Sequence, residues 1–373
     1  MDVISTILAF IAVLVVLVVI HELGHFAVAK LSGITVQEFG IGFPPRIAST
    51  TWRGTRYSIN WIPLGGFVKM LGEDGEIEAE KMRERGLSDA AVEKAMVGAF
   101  NRKPILVRLA VLLAGVVMNF LLAIVLFAGA FSVAQPIRVL PLTITEIQPD
   151  SPAEGKLEVG DRITSADHGS FATAGALIDY IGAHAGEAVS LQVERGSRDL
   201  DVTVTPRRLT QEQREAGVGA VGFGLRAETR MGPPVASSPL DAVASGARTT
   251  VELARQIPGG LASTVAGLVG LAPNTGDARG PIGIAQVTGE VLHQSLFDQL
   301  VFVGLLSVNL AVLNVLPFPP LDGGRVAVTV LEAVRRRRLP AEREALIYLT
   351  GFLVLIALVI LISIQDIQRV SGS

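Results

Sequence analysis

Hydrophobic positions fall into four long stretches, and polar segments of very different length separate them. The stretches run from about Ile4 to Lys30, Ile105 to Ala134, Leu296 to Leu316 and Leu346 to Ile364. A helix of about 20 apolar residues crosses the hydrocarbon core of a bilayer, and each stretch is close to that length or longer. The pattern therefore predicts a polytopic α-helical membrane protein with four transmembrane helices.

The first stretch has a second interpretation, because Ile7–Ile20 contains no polar side chain and matches the apolar core of a signal peptide. No Lys or Arg precedes this run, and no small-residue cleavage site follows it. The apolar character instead resumes at Leu23 and continues to Ala29. We therefore expect a retained membrane span.

Basic residues predict the orientation of the spans. The loop Leu31–Lys103 holds ten Lys and Arg residues, and the loop Pro317–Ala345 holds six, including the run Arg335–Arg338. Short loops rich in Lys and Arg stay in the cytoplasm. We expect both loops to be cytoplasmic, and both termini and the long middle loop to lie on the extracytoplasmic side of the membrane.

The composition agrees with a membrane protein and excludes several functions. Of the 373 residues, 50% are apolar and only 18% are charged, whereas soluble domains average about 25% charged residues. The net charge of −3 provides no general basic surface for nucleic acid. Because cysteine is absent, disulfides, Cys-ligated zinc, iron–sulfur clusters and a Cys nucleophile are excluded.

The first basic loop begins with two strand-like segments, Thr35–Phe39 and Arg56–Trp61, and glycines and prolines follow each of them. These segments predict a pair of β-hairpins at or in the membrane face. Residues Glu73–Lys103 are charged and helix-forming, which predicts a surface helix or a partly disordered segment.

The middle loop contains a small domain between about Ile137 and Arg208. Its predicted strands and helices are Thr143–Ile147, Arg162–Ser165, Ala188–Glu194 and Leu200–Thr205 (strands) and Ala153–Leu157 and Thr173–Ala183 (helices). The run SPAEGKLEVGDRI, which begins at Ser151, resembles the middle of a PDZ domain. The resemblance implies an extracytoplasmic PDZ-like α+β domain. Asp167-His168-Gly169 stands where an Asn-Gly turn is common, so the turn is expected to differ.

Apolar residues keep helical spacing from Leu240 to Ile257, just before Pro258-Gly259-Gly260. The spacing predicts an amphipathic helix that ends at Pro258. Its apolar stripe is suited either to the outer membrane surface or to ordinary packing, and the sequence does not decide between the two.

The sequence His21-Glu22-Leu23-Gly24-His25 is the strongest chemical signal in the chain. Residues four positions apart share one face of a helix, so both imidazoles reach a single ion, and Glu22 lies beside them to polarise its water. A charged group inside a span costs about 2.5–3.5 kcal/mol, and such groups usually mark function. The sequence therefore predicts a zinc site, rather than a pair of core or interfacial histidines.

A catalytic zinc site needs a third protein ligand and one open position. The remaining histidines, His168, His184 and His293, lie in the middle loop and at its exit, where surface residues are expected. Asp322 lies in the run NVLPFPPLDGG, whose prolines forbid a regular helix and force the backbone to bend. Because the predicted topology places Asp322 and His25 on the same membrane side, we predict Asp322 as the third ligand rather than as the cap of a turn.

Together these motifs resemble the site-2 protease family of intramembrane zinc metalloproteases. The likeness covers nearly the whole chain, through HELGH, LGGFVKMLGE, the PDZ-like domain, GPIGIAQ (residues 280–286) and NVLPFPPLDGG. It looks most like the bacterial branch that cleaves anti-sigma factors and remnant signal peptides. One position departs from the family pattern, because Val116 stands where proline is usual.

The resemblance implies a set of residue roles. The metal ligands of one zinc ion per chain would be His21, His25 and Asp322, with Glu22 as the general base. Support for the substrate or the transition state would come from Asn314, as a hydrogen-bond donor, and from Asn119, Gly65 and Gly66. The strands of the first loop would pair with an unwound segment of the substrate, whose freed backbone groups need partners.

The implied function is hydrolysis of peptide bonds within or near the membrane-spanning segments of single-span proteins, after a first cut by a site-1 protease. The resemblance implies a place in the plasma (bacterial inner) membrane with the active site toward the cytoplasm. The lipid bilayer is the other expected partner, and no nucleic acid is expected. The expected segments are the first transmembrane helix (1–31), the β-hairpin region (32–103), the second transmembrane helix (104–134), the PDZ-like domain (135–210), an extracytoplasmic linker (211–294), the third transmembrane helix with the Asp322 motif (295–325), a basic loop (326–344) and the fourth transmembrane helix (345–365).

Two other functions use some of the same residues. Two histidines and a carboxylate also hold Fe(II) in oxygenases, but an iron site has no use for Glu22, and no co-substrate pocket is evident. A non-catalytic scaffold that displays the PDZ-like domain leaves Glu22 and Asp322 unexplained. Metal analysis and a proteolysis assay with and without chelator distinguish these functions from a zinc protease.

Overall fold

The four apolar stretches each form one long helix in the computed structural model, which describes residues 3–73, 77–171, 173–210, 219–268, 279–337 and 339–371. In chain order the elements are α1 (Val3–Leu31), β1 (Val36–Trp52), β2 (Thr55–Met70), α2 (Ile77–Glu84), α3 (Asp89–Ala95), α4 (Ile105–Ser132), β3 (Pro136–Ile147), β4 (Arg162–Ala166), α5 (Ala174–Ala183), β5 (Val189–Arg195), β6 (Arg198–Val204), β7 (Phe223–Met231), α6 (Pro239–Leu268), α7 (Pro281–Val291), α8 (Leu296–Val315), α9 (Asp322–Arg335) and α10 (Ala341–Ser371). Helices α1, α4, α8 and α10 are long and apolar enough to cross a membrane, which confirms the four predicted candidates.

The chain divides into a membrane unit, Met1–Val133 with Val235–Ser373, and a sheet domain, Ala134–Pro234. Within the membrane unit, α1 and α8 both pack against α4. Gly24 of α1 makes the first contact possible, because a Cβ atom there would lie 2.3 Å from the carbonyl oxygen of Ala114. The second contact buries Phe127 of α4 with Val308 of α8. Helix α4 is therefore the common support of the helices on either side of the site described below.

Strands β1 and β2 form one pair of long strands that fold back on themselves, where the sequence predicted two shorter hairpins. Residues 36–41 pair with residues 66–70, and residues 38–41 also pair with residues 56–59. Residues 46–52 pair with residues 55–60. Residues 66–70 and 46–52 are therefore the two outer segments of this sheet. Gly42 permits the bend in β1, because its φ of +78° is unfavourable for a residue with a side chain.

The sheet domain is built on a five-stranded antiparallel sheet with the strand order β6-β5-β4-β3-β7. Its core includes Ile144, Ile163 and Leu177, each at most 1% exposed. Strand β7 was not predicted from the sequence. Because β7 pairs along β3, the domain extends to Pro234, whereas the sequence placed its end at residue 210.

One predicted helix does not form, and another continues past its predicted end. The segment Ala153–Leu157 forms turns instead of a helix, because Gly155 takes a φ of +72° and leaves the helical region. Helix α6 continues through Pro258 and ends at Leu268. A proline removes one N–H from a helix, and packing of Ile257 against the core between α4 and α8 holds the chain in place just before it.

Helix α6 contacts α4 through small residues rather than through the whole predicted stripe. A Cβ atom at Gly246 would lie 2.7 Å from the carbonyl oxygen of Ile124, so the two backbones are in direct contact. Ala242, one turn earlier, is 2% exposed. Leu240 and Val251 of the predicted stripe are 80% and 50% exposed, so this part of the stripe is not the packing face.

Candidate active site

Two side chains from the first apolar segment and one from just after the third meet in the membrane unit. His21 and His25 lie one turn apart on α1, and Asp322 is the first residue of α9. The two Nε2 atoms are 3.1 Å apart, and the Asp322 Oδ2 atom lies 2.9 Å from Nε2 of His21 and 3.2 Å from Nε2 of His25. Both histidines are buried, with 6% and 7% of their surface exposed. The structure thus brings together the three predicted ligands.

The spacing of these atoms fits a metal ion. Ligands at the usual zinc distance of about 2.0–2.1 Å in a tetrahedron lie about 3.3 Å from one another, close to the three distances above. Nδ1 of His25 lies 2.8 Å from the carbonyl oxygen of Val111. A ring N–H that donates to this oxygen leaves the Nε2 lone pair free for the metal, an arrangement typical of histidine ligands.

Asn119 of α4 lies behind His21. Its Nδ2 atom is 3.2 Å from Nδ1 of His21, and its buried Oδ1 atom has no hydrogen-bond partner among the described residues. The two ends of an amide are interchangeable in shape, so turning the Asn119 side chain over places Oδ1 against His21. That oxygen accepts a hydrogen bond from the Nδ1–H group and leaves Nε2 of His21 free for metal.

Asn119 is buried beside His21, and its predicted role in supporting the substrate or the transition state stays a prediction. The residue is 0% exposed, and it contacts a ligand instead of an open surface. The Asn119 carbonyl oxygen also accepts a hydrogen bond from Ser307 of α8, at 2.8 Å. Asn119 therefore orients His21 and joins two helices.

Gly115 was not predicted as a site residue. A Cβ atom there would lie 2.4 Å from Nε2 of His25 and 2.7 Å from Nε2 of His21. Only a residue without a side chain leaves room for both imidazoles beside α4. The spacing of Gly115 and Asn119, four positions apart on one helix, is the sequence signal that places them on the same face.

Glu22 lies beside the metal ligands and against β2. A Cβ atom at Gly66 would be 3.2 Å from Cγ of Glu22 and 3.4 Å from Cγ1 of Val18, so Gly66 allows β2 to lie close to α1. Gly65 has a φ of +149°, and a side chain there would overlap the ring of Phe43. The two predicted glycines therefore set the approach of β2 to the carboxylate of Glu22.

Asp322 reaches the histidines because two glycines follow it. A Cβ atom at Gly323 would lie 2.2 Å from the carbonyl oxygens of both Val315 and Leu316, so the first turn of α9 packs directly on the end of α8. This packing brings the Asp322 carboxylate within 3.2 Å of Nε2 of both histidines, where its oxygen can share a metal ion with them.

Arg325 and Glu73 form an ion pair that sequence reasoning missed. Arg325 lies three residues after Asp322 on α9, and its guanidinium donates to Glu73 at the end of β2. The other carboxylate oxygen of Glu73 accepts from the backbone N–H of Met70 at 3.1 Å. The pair therefore connects the helix of the third ligand to the strand beside Glu22.

Asn314 lies in the last turn of α8, and its side chain is half-buried. No hydrogen bond joins it to His21, His25 or Asp322 within the described part of the chain. Its predicted role as a donor to the substrate stays a prediction.

Comparison with known proteins places these residues in a known context. The chain matches the model of peptidase family M50 over residues 9–358. It is 32% identical over 368 residues to a putative zinc metalloprotease of Clostridium perfringens, with 98% of each chain covered. It is 28% identical over 430 residues to the regulator of sigma-W protease RasP of Bacillus subtilis, covering 98% of this chain and 99% of that one. Among solved structures, the PDZ domain of an SdrC-like protein of Listeria innocua aligns with 24% of this chain and 93% of its own, at 25% identity and a TM-score of 0.20.

Proposed function

Because this chain belongs to peptidase family M50 and is a zinc metalloprotease, we propose that it cuts single-span membrane proteins within or near their membrane-spanning segments. The position of His21 and His25 is the observation that carries the proposal. Both lie inside α1, within a segment long and apolar enough to cross a bilayer. A hydrolytic site at that depth meets peptide bonds that soluble proteases do not reach.

The residues around the metal divide the chemistry among them. His21, His25 and Asp322 would hold the zinc ion, which would act as a Lewis acid and lower the pKa of water to near neutrality. Glu22 accepts the proton of the attacking water and then returns it to the amine of the departing peptide. Asn119 and the Val111 carbonyl keep the two imidazoles in the orientation that directs Nε2 at the ion.

The outer segment of the β1–β2 sheet gives the substrate a place to bind. Residues 66–70 pair with 36–41 on one side, and no strand of the described residues pairs with their other side. Gly66 of this segment is the residue that packs against Glu22. A transmembrane helix must unwind before a protease reaches its carbonyl groups, and pairing with this free edge replaces the lost hydrogen bonds. The half-buried Asn314 then serves as a donor to the substrate or transition state.

The proposed topology places the active site toward the cytoplasm and the sheet domain outside. The six basic residues of the loop 317–345 and the ten of the loop 31–103 support this orientation. We assign to the sheet domain the sensing of the outer part of a substrate, by binding a trimmed end or by excluding a bulky one. The name of the Bacillus subtilis relative supports anti-sigma factors as substrates, and remnant signal peptides are the other class, with a site-1 protease making the first cut.

The test uses the full chain, reconstituted with a single-span substrate that has already lost its external domain. We expect cleavage in the membrane segment that a zinc chelator stops. Glu22→Gln should retain the zinc and cleave the substrate at least about 100-fold more slowly, because a general base accelerates such reactions by about 10²–10⁴-fold. Cleavage at wild-type rate by Glu22→Gln, or zinc-dependent cutting only of soluble peptides, would contradict the proposal.

A further inference from the structure

The helix that carries Asp322 has one face packed inside the protein. Along α9 the inner residues follow the spacing i, i+3, i+4, i+7 and line a cavity of about 220 Å³: Arg325, Val328, Thr329 and Glu332. Glu332 lies 3.2 Å from Arg108 of α4, and Arg325 bonds to Glu73. Two ion pairs therefore fix this face, and the orientation of α9 about its axis is set.

The opposite face of α9 is apolar and uncovered. It repeats the same spacing two positions later, with Ala327, Val330, Leu331 and Val334. Val330 and Leu331 are 43% and 45% exposed, and Val334 is 77% exposed. Because ion pairs fix the other face of α9 toward the protein interior, this apolar stripe cannot turn inward to pack in the core.

A group of arginines lies at the end of this stripe. Arg335 is the last residue of α9, and Arg336 ends the helix with a φ of +52°. Arg335, Arg336 and Arg337 are all exposed, and within the described residues none of them forms an ion pair. Three free positive charges therefore adjoin an exposed apolar surface.

The neighbouring helices determine where this surface lies. Helix α8 ends at Val315 and α10 begins at Ala341, and both are candidates to cross the membrane. Because the 14-residue helix α9 joins the ends of two candidate spans, we expect it at the boundary of the bilayer. There an apolar stripe enters the acyl boundary, and adjacent arginines meet the phosphates of the headgroups.

We propose that the outer face of α9 binds the headgroup region of an anionic phospholipid leaflet. The apolar stripe supplies affinity for any lipid, and Arg335–Arg337 supply the preference for negative headgroups. The inference requires a multi-pass membrane protein but not proteolysis, so a binding measurement can fail while cleavage remains intact. Since α9 begins with Asp322, the helix that contacts the lipid also carries the third metal ligand.

The test is isothermal titration calorimetry of the full chain in an uncharged detergent at low salt, which measures the dissociation constant of each ligand. The probes are dioctanoyl phosphatidylglycerol, dioctanoyl phosphatidylcholine and inorganic phosphate. We expect tighter binding of phosphatidylglycerol than of phosphatidylcholine by at least tenfold, and no binding of phosphate at the same concentrations. The triple variant R335Q/R336Q/R337Q should lose on the order of 100-fold in affinity for phosphatidylglycerol.

Two matched variants separate the contributions. R198Q/R226Q/R230Q removes the same charge from exposed arginines of the sheet domain and should bind as the wild type does. V330S/L331S/V334S should lower the affinity for both lipids by a similar factor and keep the preference for phosphatidylglycerol. Unchanged binding in the α9 arginine variant, equal loss in the sheet-domain variant, or phosphate binding as tight as that of phosphatidylglycerol would each overturn the proposal.

Discussion

The side-chain amide of Asn119 lies 3.2 Å from Nδ1 of His21, on the ring nitrogen that does not face Asp322. This contact determines which nitrogen of His21 is free for a metal ion. A carbonyl oxygen in that position holds the proton on Nδ1, so the lone pair remains on Nε2. The buried amide of Asn119 is therefore part of the metal site, although it does not touch the ion.

Replacing Asn119 should weaken zinc binding. We expect Asn119→Ala to lose about 10–100-fold in zinc affinity, the usual effect of removing a group that orients a histidine ligand. Competition with a chelator of known affinity measures this change. Asn309→Ala is the control, because Asn309 lies on α8 and, among the described residues, donates only to the Leu305 carbonyl of its own helix, at 3.1 Å. Equal zinc affinities of the two variants would show that Asn119 has no such role.

Gly115→Ala should abolish the metal site without unfolding the chain. The added methyl group would lie 2.4 Å from Nε2 of His25, closer than atoms approach without displacement. Metal analysis of the purified variant should find less than one tenth of the wild-type zinc. Gly129→Ala on the same helix places its methyl group 3.5 Å from Leu300, an ordinary contact, and should retain zinc. A zinc-loaded Gly115→Ala variant would contradict the described packing.

The pair Arg325 and Glu73 should couple the third ligand to β2. Arg325→Gln leaves the carboxylate of Glu73 unpaired, and we expect a loss of about 1–3 kcal/mol in stability together with weaker zinc binding. The exchanged variant E73R/R325E should recover part of both losses. Thermal unfolding with and without zinc measures the two effects. The exposed pair Arg83 and Asp89 provides the control, since Arg83→Gln should change neither quantity measurably.

The sheet domain should lose stability in acid through Asp161. Burial raises the pKa of this carboxyl, but two hydrogen bonds of 2.7 Å from Arg195 and one from the Glu158 backbone outweigh it and lower the pKa. A lowered folded pKa means that the stabilisation is complete above the unfolded pKa of about 3.9 and is lost as the pH falls through the folded value.

Hydrogen exchange of the sheet-domain amides, measured in the full chain at decreasing pH, tests this expectation. Protection corrected for intrinsic exchange should fall below about pH 4 in the wild type. Asp161→Asn should already be less protected at neutral pH and should show a weaker pH dependence. Asp199→Asn changes an exposed carboxylate of the same sheet and should behave as the wild type does.

Sequence patterns predicted the parts of the site that depend on local spacing. The spacing of His21 and His25 by one helical turn predicted two ligands on one helix face, and the proline-rich run before Asp322 indicated the third. The spacing of Gly115 from Asn119 puts both on one face of a helix, but neither this spacing nor any local pattern reveals the contact of Gly115 with the histidines or the Arg325–Glu73 pair, because these contacts join segments distant in the chain. The same limit applies to β7, whose strand character is weak until it pairs with β3.

Helix ends were less predictable where tertiary packing competes with local preference. Pro258 is an ordinary stop signal, yet α6 passes through it, because the residues just before it pack between α4 and α8. Ala153–Leu157 has the composition of a helix, yet the backbone of Gly155 leaves the helical region within one turn.

The sequence separation within the metal site has a consequence for biosynthesis. The side chains of His21 and Asp322 lie 2.9 Å apart although the two residues are 301 positions apart in the sequence. A growing chain therefore holds two of the three ligands from its first span onward and acquires the last only after its third span has left the ribosome. Two histidines bind zinc much more weakly than a complete set does. The complete set of three zinc ligands therefore exists only after the third span has been made, late in the synthesis of the chain.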